Sequence, residues 1–351
     1  MEKWYGKNCK VGILGGGQLG RMILQKAPDW DVQIHVLDPA PDAPCKDLAH
    51  HFTCGDWRDY DTVMAFAGDL DIVTVEIEHI NVKALFDLEA QGVKVYPQPE
   101  VLAAIQDKGL QKEFYEQHNI PTAPFHLHQA EDKVPELPFV QKMRKGGYDG
   151  KGVQVVRTEA QINQMFEVPS VIEKLIPFEK ELSVIVARNV EGEMKTFPLV
   201  EQEFNEDANL VEFLFAPAMV DEKIAEKAQQ IAKDVAEAFN LVGLLAVELF
   251  LTAEGNLLVN EAAPRPHNSG HHTIEAGYTS QFEQHLRAIL NLPLGDTSQQ
   301  KAAVMVNLLG APDRTGTPYY ENLEWALAQP GVFPHIYGKS MTKPFRKMGH
   351  V

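Results

Sequence analysis

Residues 257–272 read Leu-Leu-Val-Asn-Glu-Ala-Ala-Pro-Arg-Pro-His-Asn-Ser-Gly-His-His, an apolar run that gives way to a dense polar cluster. Leu257, Val259 and Glu261 alternate with a period of two, so a strand would place the carboxylate on the same face as its apolar neighbours. A carboxylate on such a face is costly unless it is paired or bound to a metal ion. The stretch therefore predicts a strand that carries a functional carboxylate.

A second strand of this kind lies upstream, over residues 242–252. In a strand, Glu248 would share one face with three apolar residues, Leu244, Ala246 and Phe250. Two strands that each carry one glutamate could together hold a hard cation, with Mg²⁺ preferred and phosphates as further ligands. The alternative is a pair of exposed glutamates on edge strands. The Asn, Arg and His residues that follow Glu261 favour the metal site.

Length and composition limit the classes of protein that fit. A chain of 351 residues is too long for one small core, so two or three domains are expected. The net charge of −17 argues against nucleic-acid or anionic-membrane partners. The three cysteines form no CxxC pair, there is no apolar signal segment, and the longest apolar run, residues 241–247, cannot span a bilayer. We therefore expect a cytoplasmic protein without a membrane partner.

The order of predicted elements indicates three domains. Strands are predicted at residues 11–14, 32–37, 71–75 and 93–96, with helices at 18–26, 60–67 and 82–89 between them. This alternation is typical of a parallel sheet covered by helices. Further elements are a helix at 107–118, a hairpin at 139–143 and 153–157, a strand at 181–187 and a helix at 222–239, with 121–138 mostly loop. Pro97 and Pro99 mark a hinge or boundary, and the predicted domains are 1–98, 99–178 and 179–351.

Gly15, Gly17 and Gly20 form a G-x-G-x-x-G spacing between the first strand and its helix, and Asp38 ends the next strand. Taken alone, this pattern is a dinucleotide-binding fingerprint. The physical requirement behind this pattern is less specific, because the glycines let backbone N–H groups approach any anion at a helix N-terminus. A nucleotide monophosphate would fit equally well, and a tight turn with close helix packing is the structural alternative.

A second glycine-rich segment, residues 145–152, joins strand to strand and lacks the Walker A pattern. A hairpin of this type could close over ATP phosphates, with Lys142 and Lys151 neutralising charge; a solvated basic tip is the alternative.

Residues 171–176 and Glu181 could offer backbone groups to adenine and a carboxylate to ribose. Residues 338–350 carry four cations and no acid, which suggests a phosphate or carboxylate partner, against the alternative of a solvated tail.

Together these motifs resemble the ATP-grasp superfamily, and more closely its N5-carboxyaminoimidazole ribonucleotide synthetase family of purine biosynthesis. The matching stretches are residues 12–22, 76–78, 146–152, 260–261, 263–271 and 346–350. The resemblance implies an α/β (overall α+β) ATP-grasp fold, with a Rossmann-like parallel-sheet domain over 1–98, a small lid domain over 99–178 and a catalytic domain over 179–351. It also implies a homodimer and a terminal strand that is shortened or missing after Val351.

The resemblance implies a ligase reaction. ATP, bicarbonate and 5-aminoimidazole ribonucleotide would give ADP, phosphate and the N-carboxylated ribonucleotide through carboxyphosphate. Two rival functions are a formate-dependent glycinamide ribonucleotide ligase of the same superfamily and an NAD-binding oxidoreductase that uses the first glycine-rich loop. The oxidoreductase would leave the second glycine-rich loop and the paired glutamates without a role.

The resemblance also assigns roles to residues by their match to family motifs. Glu248 and Glu261 would bind Mg²⁺, with Mn²⁺ as the alternative metal. The ATP-binding set would be Lys108, Lys142, Gly147, Tyr148, Asp149, Gly150, Lys151, Gly152, Val153, Glu173, Lys174, Leu175, Ile176, Glu181, Asn260 and Glu261. The groups around the transferring phosphoryl, bicarbonate and amine would be Tyr148, Lys151, Arg265, His267 and Asn268. The ribonucleotide would contact Gly17, Gln18, Leu19, Glu76, Arg265, Lys339 and Arg346.

Overall fold

The computed structural model describes residues 4–147, 152–205 and 210–351. The first part of the chain forms a sheet from β1 (Lys10–Leu14), α1 (Gln18–Leu24), β2 (Gln33–Asp38), β3 (His51–Cys54), α2 (Tyr60–Ala67), β4 (Ile72–Val75), α3 (Val82–Ala90) and β5 (Lys94–Val95). The strand order is β3-β2-β1-β4-β5, and all pairs are parallel. Successive strand residues enter two separate apolar cores, one on each face of the sheet. The predicted parallel sheet with helices on both sides is confirmed.

Two features of this part differ from the prediction. The strand β3 was not predicted, because it is an edge strand of only four residues, none of which is buried. Pro99 begins the helix α4 (Pro99–Ile105) instead of forming a hinge. Proline fits the first turn of a helix because that turn needs no N–H from it.

The middle of the chain contains α5 (Lys108–Gln117) and a small sheet built from β6 (Phe125–His128), β7 (Phe139–Met143), β8 (Val153–Val156) and β9 (Ser170–Lys174). The order is β6-β9-β7-β8 with antiparallel pairs, which confirms the predicted hairpin of β7 and β8. Residues 121–138 are mostly loop, as predicted, and the exception is β6. The prolines of this segment flank β6 on both sides, so none removes an N–H from its pairing with β9.

The remaining strands form one large sheet. Its elements are β10 (Phe178–Arg188), β11 (Met194–Thr196), β12 (Val200–Asn205), β13 (Leu210–Ala216), α6 (Glu222–Ala238), β14 (Gly243–Thr252), β15 (Leu257–Ala263), α7 (Thr273–Ala276), α8 (Gln281–Ile289), β16 (Ala303–Leu309), α9 (Leu323–Leu327), β17 (His335–Ile336) and β18 (Lys347–His350). The order is β15-β14-β10-β12-β13-β16-β18-β17, with β11 paired to β10. The amphipathic helix α6 covers one face of β10, β14 and β15, as its spacing predicted.

On the opposite face, α8 covers one part of β10 and β14. Four of the predicted functional residues, Glu181, Glu248, Asn260 and Glu261, lie on β10, β14 and β15. Within the described ranges, no helix has the length and apolar composition that crossing a membrane requires.

Candidate active site

Glu248 and Glu261 lie directly opposite each other on β14 and β15. A bulge at Asn260 produces this pairing, because the register between the two strands shifts by one residue there. The expectation that Glu261 shares a face with Val259 and its apolar neighbours is therefore wrong. Ala262 joins Val259 in the core, and Glu261 points to the opposite face beside Glu248. The predicted carboxylate pair exists, but an inserted residue creates it, not simple alternation.

The two carboxylates have different electrostatic surroundings. Lys108 Nζ contacts Glu261 Oε2. The charge of Lys108 holds the pKa of Glu261 well below its usual value, although burial acts in the opposite direction. Burial raises the pKa of Glu248, and the negative charges of Glu261 and Glu181 raise it further. One carboxylate of the pair is neutralised by a lysine, whereas ionisation of the other is disfavoured unless a cation binds beside it.

His267 and Asn268 follow β15 and lie beside this pair. His267 Nε2 is 3.6 Å from Glu248 Oε1, and its Nδ1 is 2.9 Å from Ser269 Oγ, which in turn accepts a hydrogen bond from Ser183 Oγ at 2.9 Å. Asn268 is 8% exposed, and its side-chain amide has no hydrogen-bond partner among the described residues. Since an unpaired buried amide is costly, this side chain is suited to a ligand contact.

Arg265 reaches from the large sheet to the first domain. Its Nη2 lies 2.7 Å from Glu78 Oε1, with 18% and 20% of the two side chains exposed. The backbone oxygen of Glu78 accepts a hydrogen bond of 2.6 Å from the side chain of Gln106, which fixes the segment after β4. Glu78 was not predicted as a site residue. The available signal was its position just beyond the carboxyl end of a buried parallel strand, where ligands of such sheets bind.

Lys142 occupies the border between the small and the large sheet. Its Nζ is 2.6 Å from Asn260 Oδ1 and 3.0 Å from Glu173 Oε1, and Lys112 Nζ is 3.1 Å from the same oxygen. Burial opposes ionisation of Glu173, but Lys142 and Lys112 hold its pKa below the usual value. Lys112 was not predicted, because a lysine on a helix with polar neighbours is normally exposed. The carboxylate of Glu173 thus faces two lysines, and its contact with adenosine stays a prediction.

The connection from β9 to β10 contains Lys174, Leu175 and Ile176, which were predicted to contact adenine. The backbone N–H of Lys174 donates to Pro124 O at 2.9 Å, so this end of the connection is fixed. Glu181, further along on β10, has a pKa raised to about 7 by burial, with Lys142 lowering it and Glu261 raising it. It lies near enough to the site for its charge to interact with both groups.

The glycine-rich hairpin between β7 and β8 begins with Gly146 and Gly147 and ends with Gly152, followed by Val153. Gly146 and Gly152 have φ angles of 80° and 78°, a region in which other residues are strained. The backbone N–H of Met143 donates to Gly152 O at 2.8 Å and closes the base of the hairpin. The predicted residues Tyr148, Asp149, Gly150 and Lys151 lie outside the described residues.

The first glycine-rich loop holds carboxylates of the protein itself. Glu76 accepts hydrogen bonds from the N–H groups of Gly17 and Gly20 at 2.7 and 2.9 Å, and Asp38 accepts one from Gly16 at 2.7 Å. Burial raises the pKa of both carboxyl groups. The interpretation of Asp38 as a ribose-binding acid is not supported, because this buried side chain holds the loop. A phosphate would have to approach through other groups, such as the N–H groups of Gln18 and Leu19; the Leu19 side chain itself is in the core.

The basic carboxyl-terminal segment is packed, so the alternative of a solvated tail is excluded. β18 pairs with β16 and β17. Lys339 Nζ donates to Lys347 O and Arg346 Nη1 donates to Met341 O, both at 2.6 Å. Ser340 Oγ hydrogen-bonds to Asp42, which places the segment beside the loop that follows β2. Lys339 and Arg346 are thus held at the edge of the first sheet, on the side of the Gly15–Gly20 loop.

Family models match nearly the whole chain in consecutive blocks. A ribonucleotide synthetase pre-ATP-grasp domain matches residues 8–106, an ATP-grasp domain matches 113–282, and a phosphoribosylaminoimidazole carboxylase carboxyl-terminal domain matches 303–351. A Bacillus subtilis protein named N5-carboxyaminoimidazole ribonucleotide synthase is 39% identical over 97% of this chain and 90% of its own length. The chain spans only 65% and 62% of two curated relatives named phosphoribosylaminoimidazole carboxylase.

Solved structures give the same result. The N5-carboxyaminoimidazole ribonucleotide synthetase of Thermotoga maritima is 43% identical, with a TM-score of 0.90 and coverage of 97% of this chain and 92% of that chain. The N5-carboxyaminoimidazole synthase of Aspergillus clavatus, solved with ADP and 5-aminoimidazole ribonucleotide, is 34% identical, with a TM-score of 0.89 and coverage of 99% and 93%. The expected ATP-grasp fold is confirmed, and the chain belongs to the N5-carboxyaminoimidazole ribonucleotide synthase family of the ATP-grasp superfamily.

Proposed function

We propose that this protein carboxylates 5-aminoimidazole ribonucleotide with bicarbonate at the expense of ATP, in purine biosynthesis. The observation that carries the proposal is the pair Glu248 and Glu261, which faces Lys108 and His267 on the open side of the large sheet. This arrangement suits phosphoryl transfer, which depends on positioning and on neutralising charge. Family membership supplies the substrates, because close relatives carry this activity in their names.

ATP would bind between the small sheet and the large sheet. Lys108 and Lys142 would contact its phosphates, residues 147–153 would cover them, and residues 173–176 with Glu181 would bind adenosine. Glu248 and Glu261 fit a divalent cation, because they are carboxylates on one face with an excess of negative charge. The cation would be Mg²⁺, which neutralises phosphate charge when bound. No group of three or more metal-binding side chains occurs among the described residues, so phosphates would complete its ligands.

The chemistry has two steps. A bicarbonate oxygen attacks the γ-phosphorus, the bond to the β-phosphate oxygen breaks, and ADP leaves with carboxyphosphate formed. The amine of the ribonucleotide then attacks the carboxyl carbon, the bond between this carbon and the phosphate oxygen breaks, and phosphate leaves as the amine loses one proton. Arg265, held by Glu78, would stabilise the transferring phosphoryl. His267 and the unpaired amide of Asn268, together with Tyr148 and Lys151, would surround bicarbonate and the amine.

The ribonucleotide would bind at the edge of the first sheet. Its phosphate would approach the backbone of Gly17, Gln18 and Leu19, with Lys339 and Arg346 supplying the positive charge that this loop lacks. Glu76 is fixed beneath the loop by two backbone N–H groups, and it would face the ribonucleotide from there. We also propose a homodimer and a cytoplasmic location, both on the resemblance to the family; the free state of all three cysteines is consistent with a reducing compartment.

The test is ADP release by the purified protein with Mg²⁺ and ATP, in the presence and absence of aminoimidazole ribonucleotide and bicarbonate. We expect the fastest release when both are present. Formate with glycinamide ribonucleotide serves as the matched donor and acceptor of the rival ligase, and NADH fluorescence tests the rival oxidoreductase. Turnover with formate and glycinamide ribonucleotide alone would contradict the proposal.

A further inference from the structure

Lys112 is a charged residue in the interior to which the proposed reaction assigns no role. It lies on α5 with 2% of its surface exposed, and its Nζ donates a hydrogen bond of 2.6 Å to Thr122 Oγ1. Thr122 Oγ1 donates in turn to Val259 O at 2.7 Å, directly before the bulge of β15. Transfer of an ammonium group from water to the protein interior carries a large desolvation penalty, as it does for other ions. Such a cost suggests a function beyond packing.

The partner of Lys112 is a carboxylate that it shares. Glu173 is 2% exposed, and its Oε1 lies 3.1 Å from Lys112 Nζ and 3.0 Å from Lys142 Nζ. Both contacts have the distance of an ion pair without the alignment of a hydrogen bond. The triad of Lys112, Glu173 and Lys142 therefore contains two positive charges and one negative charge, and one positive charge is left over.

The protonation of the triad is consistent with this charge count. Burial lowers the pKa of Lys112 to about 8, with Glu173 acting in the opposite direction, so the ammonium form predominates at neutral pH. Lys142 also interacts electrostatically with Glu181 and Glu261. Without Lys112, Glu173 would pair with Lys142 alone and would cancel its charge at short range.

We infer that Lys112 is a positioning residue for nucleotide binding: it shares Glu173 with Lys142 and so leaves Lys142 with positive charge for the phosphates of ATP. Lys112 itself does not contact the nucleotide. The inference rests on the proposed function, because it takes Lys142 as a phosphate ligand. A lysine whose charge is not cancelled by a carboxylate attracts an anion more strongly than a lysine in an ion pair. The difference is larger in a site that contains little water to screen the charge.

The test compares five proteins by their affinity for Mg-ADP, measured by titration calorimetry, and by steady-state kinetics. In Lys112→Met the charge is lost and most of the volume is kept. We expect ADP affinity and the KM for ATP to worsen by roughly 10- to 100-fold, the range for loss of one charged contact. The KM for aminoimidazole ribonucleotide and kcat at saturating ATP should change less than about threefold, since the remaining groups are untouched.

Three further variants separate charge from structure. The double variant Lys112→Met with Glu173→Gln again leaves one net positive charge. Because Glu173 is also a proposed adenosine contact, the double variant is compared with Glu173→Gln alone, and Lys112→Met should weaken ADP binding much less in that background than in the parent. Thr122→Val removes the hydrogen bond of Lys112 at the same place and keeps all three charges, so its ADP affinity should stay within about twofold of the parent. Thermal unfolding of each protein shows that it is folded, and the double variant and Thr122→Val remain informative if Lys112→Met is not.

The outcomes distinguish the inference from the proposed function. If the parent protein binds ADP and carboxylates aminoimidazole ribonucleotide, but Lys112→Met binds ADP normally, the inference is wrong and the function stands. If Lys112→Met weakens ADP binding as much in the Glu173→Gln background as in the parent, the effect of Lys112 does not act through Glu173 and the inference is also wrong. If the parent protein itself does not bind ADP, the proposed function fails first.

Discussion

Among single residues, Asn260 determines the face on which Glu261 lies, because its insertion into β15 turns Glu261 toward Glu248. The sequence predicted that the two glutamates lie together on neighbouring strands, but the reasoning that placed Glu261 there was wrong. A period of two cannot reveal a bulge, since the extra residue changes the face of every residue after it. The sequence was enough to predict which residue types occur here and in what order. The face on which Glu261 lies could not be predicted, because it depends on how β15 pairs with β14.

Glu261→Gln should abolish most of the turnover and leave the fold intact. The change removes the charge of a proposed metal ligand that also pairs with Lys108. We expect kcat/KM for ATP to fall by the equivalent of at least ~2–3 kcal/mol of transition-state stabilisation. Steady-state ADP release over a range of Mg²⁺ concentrations measures this. Glu254→Gln, in the exposed turn between β14 and β15, is the control and should behave like the parent. Near-normal activity of Glu261→Gln at ordinary Mg²⁺ concentrations would refute the metal assignment.

Arg346→Lys should weaken binding of aminoimidazole ribonucleotide, because lysine cannot reproduce a bidentate contact with phosphate. We expect the KM for the ribonucleotide to rise by the equivalent of about 1.5–3 kcal/mol, and the KM for ATP to change little. Lys343→Met, in the same segment but exposed, is the matched control. A larger effect on ATP than on the ribonucleotide would place Arg346 in the nucleotide site.

At the level of elements, the sequence predicted regular, strongly periodic segments well. The long helix α6 and the hairpin of β7 and β8 were predicted almost to the residue. Several strands were not predicted, among them β12, β13 and β16 of the large sheet. The strands β3 and β6 are further examples, because both are short edge strands whose partners, and not their own composition, make them strands. The interior position of Lys112 on α5 was equally hidden, since it depends on Glu173 from another element.

The hairpin of β7 and β8 should respond to nucleotide. Gly146 and Gly152 have left-handed backbone angles, and the proposed phosphates would add contacts to their N–H groups. We expect amide hydrogen exchange at Gly146, Gly147 and Gly152 to slow when Mg-ATP is added. Exchange in α6, on the covered face of the large sheet, serves as the internal reference and should not change. Equal exchange of the three glycines with and without nucleotide would contradict a phosphate lid.

For the whole molecule, the site depends on contacts between residues that are far apart in sequence. Arg265 pairs with Glu78, Lys142 with Asn260, and Ser340 with Asp42. Three of these six residues, Arg265, Lys142 and Asn260, were predicted to be functional, but spacing along the chain contains no information on which residues meet. Glu78 was overlooked for this reason, although the stretch that contains it was recognised.

The packed carboxyl-terminal segment should make stability depend on pH. Burial lowers the pKa of His350 from its ordinary value to about 3, and its Nδ1 lies 2.9 Å from Tyr337 Oη. The unfolded chain therefore binds a proton near pH 6.5 that the folded protein excludes, so this histidine lowers stability as pH falls from about 6.5 toward 3. As pH falls through that window, the free energy of unfolding of the parent relative to that of His350→Gln should decrease by about 1.4 kcal/mol per pH unit. Chemical denaturation at several pH values measures it, and a difference independent of pH would contradict a neutral buried His350.

The transfer of oxygen from bicarbonate to phosphate tests the proposed reaction most directly. The protein would be incubated with Mg-ATP, aminoimidazole ribonucleotide and ¹⁸O-labelled bicarbonate in unlabelled water, and the inorganic phosphate analysed by mass spectrometry. If bicarbonate attacks the γ-phosphate, each phosphate released should carry one bicarbonate oxygen, and labelled phosphate should form in step with the carboxylated ribonucleotide. Phosphate whose fourth oxygen comes from water and not from bicarbonate would contradict the account.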